Sequence, residues 1–385
     1  MSSAALTKTP LFESHVKYGA KFAAYAGFHM PLLYKGQSHI ESHHWVRNKV
    51  GLFDVSHMLQ HRVSGRNAKE FLQKITPIDL DLLQPNTCSL SVLLNAEGGI
   101  IDDTIITKHA DDQYYMVTNA GCRSKDTEFL KAELAGFSDV KHENFESTLL
   151  AVQGPGAGEL MQKFTNTDLS KVVFGSTRFV NLSSLIDGEI HLSRTGYTGE
   201  DGFELSIPSS NDAEAAQARD FFEHLIDEYP DLVKPIGLAA RDSLRLEAGM
   251  CLYGNELNEQ ITPVDATLSW LIPKTRRTAD ASFNGSSKIL KQLQDKSLVT
   301  KRRIGVVSQG PAVRTGGKVF NSSGDVLVGE STSGSLSPTL GKNIAQCYIS
   351  KDVKVGEDVK IEVRGKLRPG KVVKLPFVEN NFYRG

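Results

Sequence analysis

The stretch Asn95-Ala-Glu-Gly-Gly-Ile-Ile-Asp-Asp-Thr-Ile-Ile-Thr107 decides how the chain reads. Gly98-Gly99 offers the backbone freedom of a tight turn, and the β-branched run after it favours a strand. Alternation along that strand puts Ile101, Asp103 and Ile105 on one face and Ile100, Asp102, Thr104 and Ile106 on the other. Asp103 then lies between two apolar neighbours, where desolvation raises a carboxyl pKa unless a partner is supplied, a common preparation for acid–base chemistry. An edge strand whose acids face water and discourage aggregation satisfies the same pattern. Only Thr104 separates the two acids locally, by making the Asp102 face slightly more polar.

Outward from this strand, Gly51-Leu-Phe-Asp-Val-Ser-His-Met58 opens a unit that continues as strand to Val63. A helix follows from about Asn67 to Ile75, then strands at Ser89 to Leu94 and Gln113 to Asn119 on either side of the acidic strand, and a helix from Lys125 to Leu134. This order describes a compact α+β unit from Gly51 to about Asn144. Upstream lie a helix from Leu11, a strand near Phe22 to Ala26 and a helix from about Gly36 to Lys49. His39 and His43 share a face of that helix, with Glu41 misplaced for the H-E-x-x-H metal motif, so an ordinary polar face is the reading.

From Ser147 the pattern restarts: strand Thr148 to Val152, then Gly154-Pro-Gly-Ala-Gly158 before a helix at Glu159 to Phe164. No Gly-Lys-Ser/Thr follows, so the glycines signify strand-turn-helix packing and not a phosphate cradle. In Ser193-Arg-Thr-Gly-Tyr-Thr-Gly-Glu-Asp-Gly-Phe-Glu-Leu-Ser-Ile207 a turn runs into a strand, and Glu204 lies opposite the apolar face of Phe203, Leu205 and Ile207. Gly237 to Gly249 reads as a helix with Gly249 as its stop, and Arg241 sits near its N-terminus, where the macrodipole opposes a cation unless an acid or ligand oxygen pairs with it. Thr262-Pro-Val-Asp265 resembles a capping box leading a short helix through Trp270 to Pro273. From about Arg302 to Phe377 short β-rich runs alternate with turns, as in a barrel or sandwich.

At 385 residues the chain is long enough for two or three domains. A formal net charge of −1 argues against nucleic-acid binding through bulk electrostatics. Two basic runs, Lys274 to Arg277 and Lys301 to Arg303, read as solvated turns, with docking of an acidic partner or an anionic ligand tail as the sharper use. Cys88, Cys122, Cys251 and Cys347 have no C-x-x-C spacing, which argues against a disulfide framework or zinc ribbon and for a reducing compartment. No apolar run is long enough to span a membrane as a helix. Met1 to Pro10 is too short and too weakly basic for a transit peptide, so any leader is expected to be absent from this numbering.

Together, Phe53-Asp-Val-Ser-His-Met58, Gly98-Gly-Ile-Ile-Asp-Asp103, Gly196-Tyr-Thr-Gly-Glu-Asp-Gly202, Ala240-Arg-Asp-Ser-Leu-Arg-Leu-Glu-Ala-Gly249 and Cys251-Leu-Tyr-Gly254 resemble the T-protein (aminomethyltransferase) family of the glycine cleavage system, from Thr9 to Tyr383. The resemblance implies an α+β protein of three domains in a cloverleaf around a central folate channel. A discontinuous first domain would span 1–50 with 145–272, an inserted second domain 51–144, and a C-terminal β-barrel 273–385. It implies transfer of the aminomethyl carbon from the dihydrolipoyl arm of H-protein to tetrahydrofolate, with release of ammonia and no metal. The essential acid falls on Asp103, the pterin-binding acid on Glu204 and a substrate-binding arginine on Arg241. Tyr197, Met58, Leu90, Tyr115, Val117, Asn119, Trp270 and Arg303 align with other members of the channel, Arg303 as a contact for the glutamate tail. At the C-terminus the family's folate-contacting tyrosine falls on Phe382, with Tyr383 beside it, leaving open which aromatic serves.

A non-catalytic folate-binding relative of the same fold is the alternative, but its Lys-Gly-Cys-Tyr-type motif is replaced here by Arg194-Thr-Gly-Tyr197. Flavin-dependent methylglycine dehydrogenases share the module, and this chain carries no flavin domain. Leu252 to Asn255 and Leu268 to Trp270 resemble eukaryotic members, which implies the mitochondrial matrix, with a bacterial cytoplasm as the other setting.

Overall fold

The computed structural model describes residues 5–182 and 185–385; residues 1–4 of the N-terminal stretch lie outside it. The acidic strand, Ile100–Ala110, is the second of five strands in the order Thr87–Leu94, Ile100–Ala110, Gln113–Thr118, Leu59–Ser64, Lys141–Phe145. Being paired on both sides, it is no edge strand, and the solvent-facing reading of its acids fails. The turn before it needs both glycines. Gly98 has φ +80°, and a Cβ on Gly99 would fall 1.7 Å from the Glu259 carbonyl oxygen.

Alternation breaks at one residue. Leu94 lies opposite Ile100 and Leu93 opposite Asp102, so Ile101 is the extra residue of a β-bulge. Ile101 therefore joins Leu93, Ile106 and Met116 in the core under the helices Ala68–Ile75 and Arg123–Leu134, on the side of Asp102. Asp103 keeps Ile105 as a same-face neighbour and has Val92 across the ladder, but Ile101 has left its face.

The strand expected from Gly51 to Val63 is two strands in different sheets. Val50–Asp54 pairs with Ser147–Gln153 and, in parallel, with Val233–Pro235, inside a six-stranded sheet completed by Gly202–Pro208, Glu189–Ser193 and Thr177–Asn181. Asp54 ends the first segment: its buried carboxylate accepts from Ser56 N at 2.9 Å, Ser56 Oγ at 2.6 Å, Thr9 Oγ1 at 2.6 Å and His15 Nε2 at 2.8 Å, an Asx-type turn that redirects the chain. The sheet carrying Asp103 thus begins at Leu59 and not at Gly51. Phe203, Leu205 and Ile207 pack onto Phe221, Phe222 and Leu225 of the helix Asp212–Glu228, which leaves Glu204 on the opposite face. At Gly154 φ is +132° and a Cβ would lie 2.0 Å from the Lys49 carbonyl oxygen, so this glycine serves close packing.

The C-terminal strands close a barrel in which Lys301–Ser308 pairs with both Lys342–Ser350 and Lys366–Val373. The arginines of the basic runs are ties, while Lys274 and Lys301 are exposed, as the solvated-turn reading expects. Arg276 reaches the Gln73 carbonyl, Arg277 the carbonyls of Ser269 and Ile272, Arg302 that of Val353, and Arg303 is buried. Thr262 and Asp265 exchange capping-box bonds, yet only turns and the short 3-10 segment Ser269–Leu271 follow, because Thr267 takes a left-handed φ of +59° that interrupts the helix after its first turn. His43 is bound to Ser243 and Glu247, so it forms no metal pair with His39.

Candidate active site

Asp103 is half-buried, and Asn119, just past the end of the next strand, holds it. Asn119 Nδ2 donates to Asp103 Oδ1 at 2.8 Å and to Asp102 Oδ1 at 2.9 Å, while Asn119 N donates to Asp102 Oδ2 at 2.8 Å. Burial and then the neighbouring Asp102 carboxylate raise the Asp103 carboxyl to about 7, against the hydrogen bond from Asn119. A group poised there exchanges protons readily at neutral pH. Its face is otherwise apolar: Leu90 lies opposite Ile105, and Ile105 opposite Val117, with Met58 packed beside Val117 on the adjoining core.

Arg241 approaches from the helix Leu238–Glu247, its guanidinium 4.8 Å from the Tyr197 ring centre. Among the described residues, Arg241 Nη1 is buried without a partner, which leaves an N–H able to meet a ligand oxygen. The Tyr197 hydroxyl donates to the Cys251 carbonyl, and burial raises its pKa, with the charges of Asp103, Arg241, Arg245 and Glu256 all acting on it. Asp103, Tyr197, Arg241 and Cys251 therefore share one electrostatic neighbourhood.

Glu204 is half-buried in mid-strand and accepts from Thr195 Oγ1 at 2.5 Å through Oε2 alone. Among the described residues Oε1 has no donor. Its carboxylate contributes, after burial, to the raised pKa values of Tyr115 and Cys88, so it belongs to the Tyr115 end of the site. Tyr115 lies opposite Thr107, four residues along the strand from Asp103, or about 13 Å away at ~3.3 Å per residue. Its hydroxyl donates to Gln60 Oε1 at 2.9 Å.

Other expected members sit farther out or are already engaged. Trp270 is 63% exposed. Arg303 spends Nε on Ala266 O at 2.9 Å and Nη1 on Gly249 O at 2.9 Å and Gln346 Oε1 at 2.5 Å, so only Nη2 remains for a glutamate tail. Phe382 stacks on Phe174 at 4.1 Å, and Tyr383 donates to Ser170 O at 3.0 Å under the Arg194 guanidinium. Both aromatics are thereby held at the Phe174 corner by protein partners.

Three neighbours escape a reading by motif alone. The Tyr25 phenol feels the charges of Arg241 and Asp103 and packs edge-on to His57 at 5.6 Å. Burial lowers the His57 pKa to about 4, and its Nδ1 lacks a partner. Arg123 Nη1 donates to His57 O at 2.9 Å and Met58 O at 3.3 Å. The available signal was Arg123 opening a helix, where a cation needs a reason.

Sheet order, barrel and site together define a mixed α and β protein with a carboxyl of raised pKa fixed in the middle of a sheet. Residues 11–276 match the family described as the GCVT N-terminal domain, and residues 301–379 the glycine cleavage T-protein C-terminal barrel domain. The chain is 47% identical to the mitochondrial aminomethyltransferase of Saccharomyces cerevisiae, over 98% of this chain and 96% of that protein. It is 44% identical to the mitochondrial aminomethyltransferase of Pisum sativum, over 98% and 91% respectively. The crystal structure of glycine cleavage system aminomethyltransferase T from Bartonella henselae superposes with a TM-score of 0.88 at 37% identity, covering 98% of this chain and 100% of that one. The chain belongs to the glycine cleavage T-protein family.

Proposed function

We propose that this chain is the aminomethyltransferase of the glycine cleavage system, taking the aminomethyl group from the dihydrolipoyl arm of lipoylated H-protein in the mitochondrial matrix. The observation that carries the reading is Asp103: largely buried, clamped by Asn119 and raised to about 7, in the same electrostatic neighbourhood as Arg241, whose Nη1 is unused among the described residues.

The residues present suit tetrahydrofolate. Glu204 leaves one carboxylate oxygen free to accept from the pyrimidine edge of a pterin, the row of Leu90, Ile105 and Val117 offers an apolar bed, and Arg241 can donate to an anionic or carbonyl oxygen. When bound, tetrahydrofolate supplies the two nitrogens that take the carbon, giving 5,10-methylenetetrahydrofolate. The overall exchange balances, because the two hydrogens lost from those nitrogens appear on the released ammonia and on the lipoyl thiol.

Asp103 accepts a proton as carboxylate and returns it as acid, with Asn119 keeping Oδ1 fixed and the charges of Asp103 and Arg241 both acting on Tyr197. No protein nucleophile is needed. Burial raises the Cys251 thiol to about 12, so it is not available as thiolate at neutral pH.

The test is ammonia release from aminomethylated H-protein by the purified chain. Release dependent on both H-protein and tetrahydrofolate supports the reading. Tetrahydrofolate binding without release would transfer the chain to the non-catalytic folate-binding proteins of this fold.

A further inference from the structure

Beneath the acidic strand lies a third acid that the reaction does not use directly. Asp126, on the helix Arg123–Leu134, is fully buried, and among the described residues neither of its carboxylate oxygens makes a well-formed hydrogen bond, its polar neighbours being Asp102 and the Thr118 hydroxyl. It forms a buried group with Asp102 and the Cys122 thiol, in which one oxygen or sulfur from each lies within 4.8 Å of the others. Asp102 is also fully buried, and its two oxygens accept from the backbone and side-chain N–H groups of Asn119.

Among the described residues no cation lies at contact distance from either acid. Lys125, on the same helix, turns its ammonium to Tyr253 Oη at 2.6 Å and to Glu259 at 3.2 Å. The Thr118 hydroxyl, on the neighbouring strand, lies near Asp126 and favours its ionised form, but it is also engaged with His61 Nε2 at 3.0 Å. Cys122 is a neutral thiol, since burial and the two acids hold its pKa far above neutrality. Two carboxylates enclosed together in this way cannot both remain ionised; one keeps a proton and offers it to the other.

We propose that Asp102 and Asp126 share a single proton at neutral pH, and that this pair, acting through Asn119, sets the charge and orientation of the Asp103 carboxylate. Asn119 Nδ2 has two hydrogens and spends one on each strand acid, so the charge on Asp102 determines both how firmly that amide is held and the field at Asp103. Other charged or titratable groups acting in this neighbourhood are Glu256, Tyr197, Tyr25, Cys251 and Arg241. Asp102 and Asp126 are positioning residues and do not touch substrate. The role assigned to them rests on the aminomethyltransferase reading, but the shared proton does not.

Two measurements separate the shared proton from its catalytic role. The first is infrared spectroscopy of the Asp103→Asn chain, in which Asp103 no longer contributes a carboxyl signal. A protonated-carboxyl band should persist through neutral pH and disappear when Asp126→Asn is added. Its absence from Asp103→Asn, or a stoichiometric metal ion retained through dialysis against chelator, overturns the shared proton whatever the chain catalyses.

The second is the pH profile of kcat in the single variants. Asp102→Asn removes the adjacent negative charge and should move the Asp103 limb about one unit toward acid. Asp126→Asn gives Asp102 an amide donor, leaves it fully ionised and should move the limb toward alkali. Shifts of opposite sign support the positioning role. Limbs that stay in place, with only kcat or Tm lowered, reduce both acids to structural parts.

Discussion

Asn119 Nδ2 stands 2.8 Å from Asp103 Oδ1, so the acid assigned to proton transfer is oriented by the chain segment leaving the neighbouring strand and not by its own. A carboxylate held by one amide and flanked by apolar side chains has one orientation and few competing partners.

Asp103→Asn keeps the shape and the bulge while removing the proton-accepting oxygen. Turnover should fall by about 10²–10⁴-fold, with little change in tetrahydrofolate affinity. Steady-state ammonia release alongside equilibrium folate binding checks this, and a rate near wild type would remove Asp103 from the reaction.

The pH dependence has a definite sign. Asp103 is raised from 3.8 to about 7 on folding, so the folded chain binds more protons than the unfolded one between those values, and this group's contribution to stability is lost as pH rises through that window. The Tm difference, Asp103→Asn minus wild type, should therefore grow from pH 4 to pH 8. Activity that requires the carboxylate should rise over the upper part of the same range, with a midpoint near the same value.

Glu204→Gln keeps one acceptor oxygen but loses the charge that strengthens hydrogen bonds from pterin N–H groups. Its Kd for tetrahydrofolate should rise about tenfold, which is about 1.4 kcal/mol, with Tm nearly unchanged because the side chain is half-buried and, among the described residues, has only Thr195 as a donor. Titration calorimetry and thermal melts distinguish this outcome from a general loss of folding.

Arg245→Met addresses the join between the site helix and the barrel. Arg245 is 2% exposed and bonds Glu256 at 2.9 Å, Asp242 at 2.8 Å and Ser333 of the barrel at 2.9 Å. Its loss strands the buried Glu256 carboxylate, at a cost of about 3–5 kcal/mol. Denaturant unfolding should show that drop, and Glu256→Gln in the same chain should restore part of it.

Local chemistry was legible in the sequence. The Gly98-Gly99 turn, the β-branched strand after it, the outward face of Glu204 and the unfavourable placement of Arg241 all follow from backbone sterics, period-2 alternation and the helix dipole, which act within a few residues. The motif order was enough to suggest the family. Tertiary structure decided what pairs with what: that the acidic strand is interior, that Ile101 bulges out of the Asp103 face, and that Gly51 to Val63 divides between two sheets at the Asp54 turn. It also turned Asn119 into the clamp on both acids and buried Asp126 against Asp102. Those outcomes depend on groups far apart in the chain, such as Asp54 with His15 and Asp102 with Asn119, and on the cost of burying charge without a partner, which no local pattern of side chains encodes.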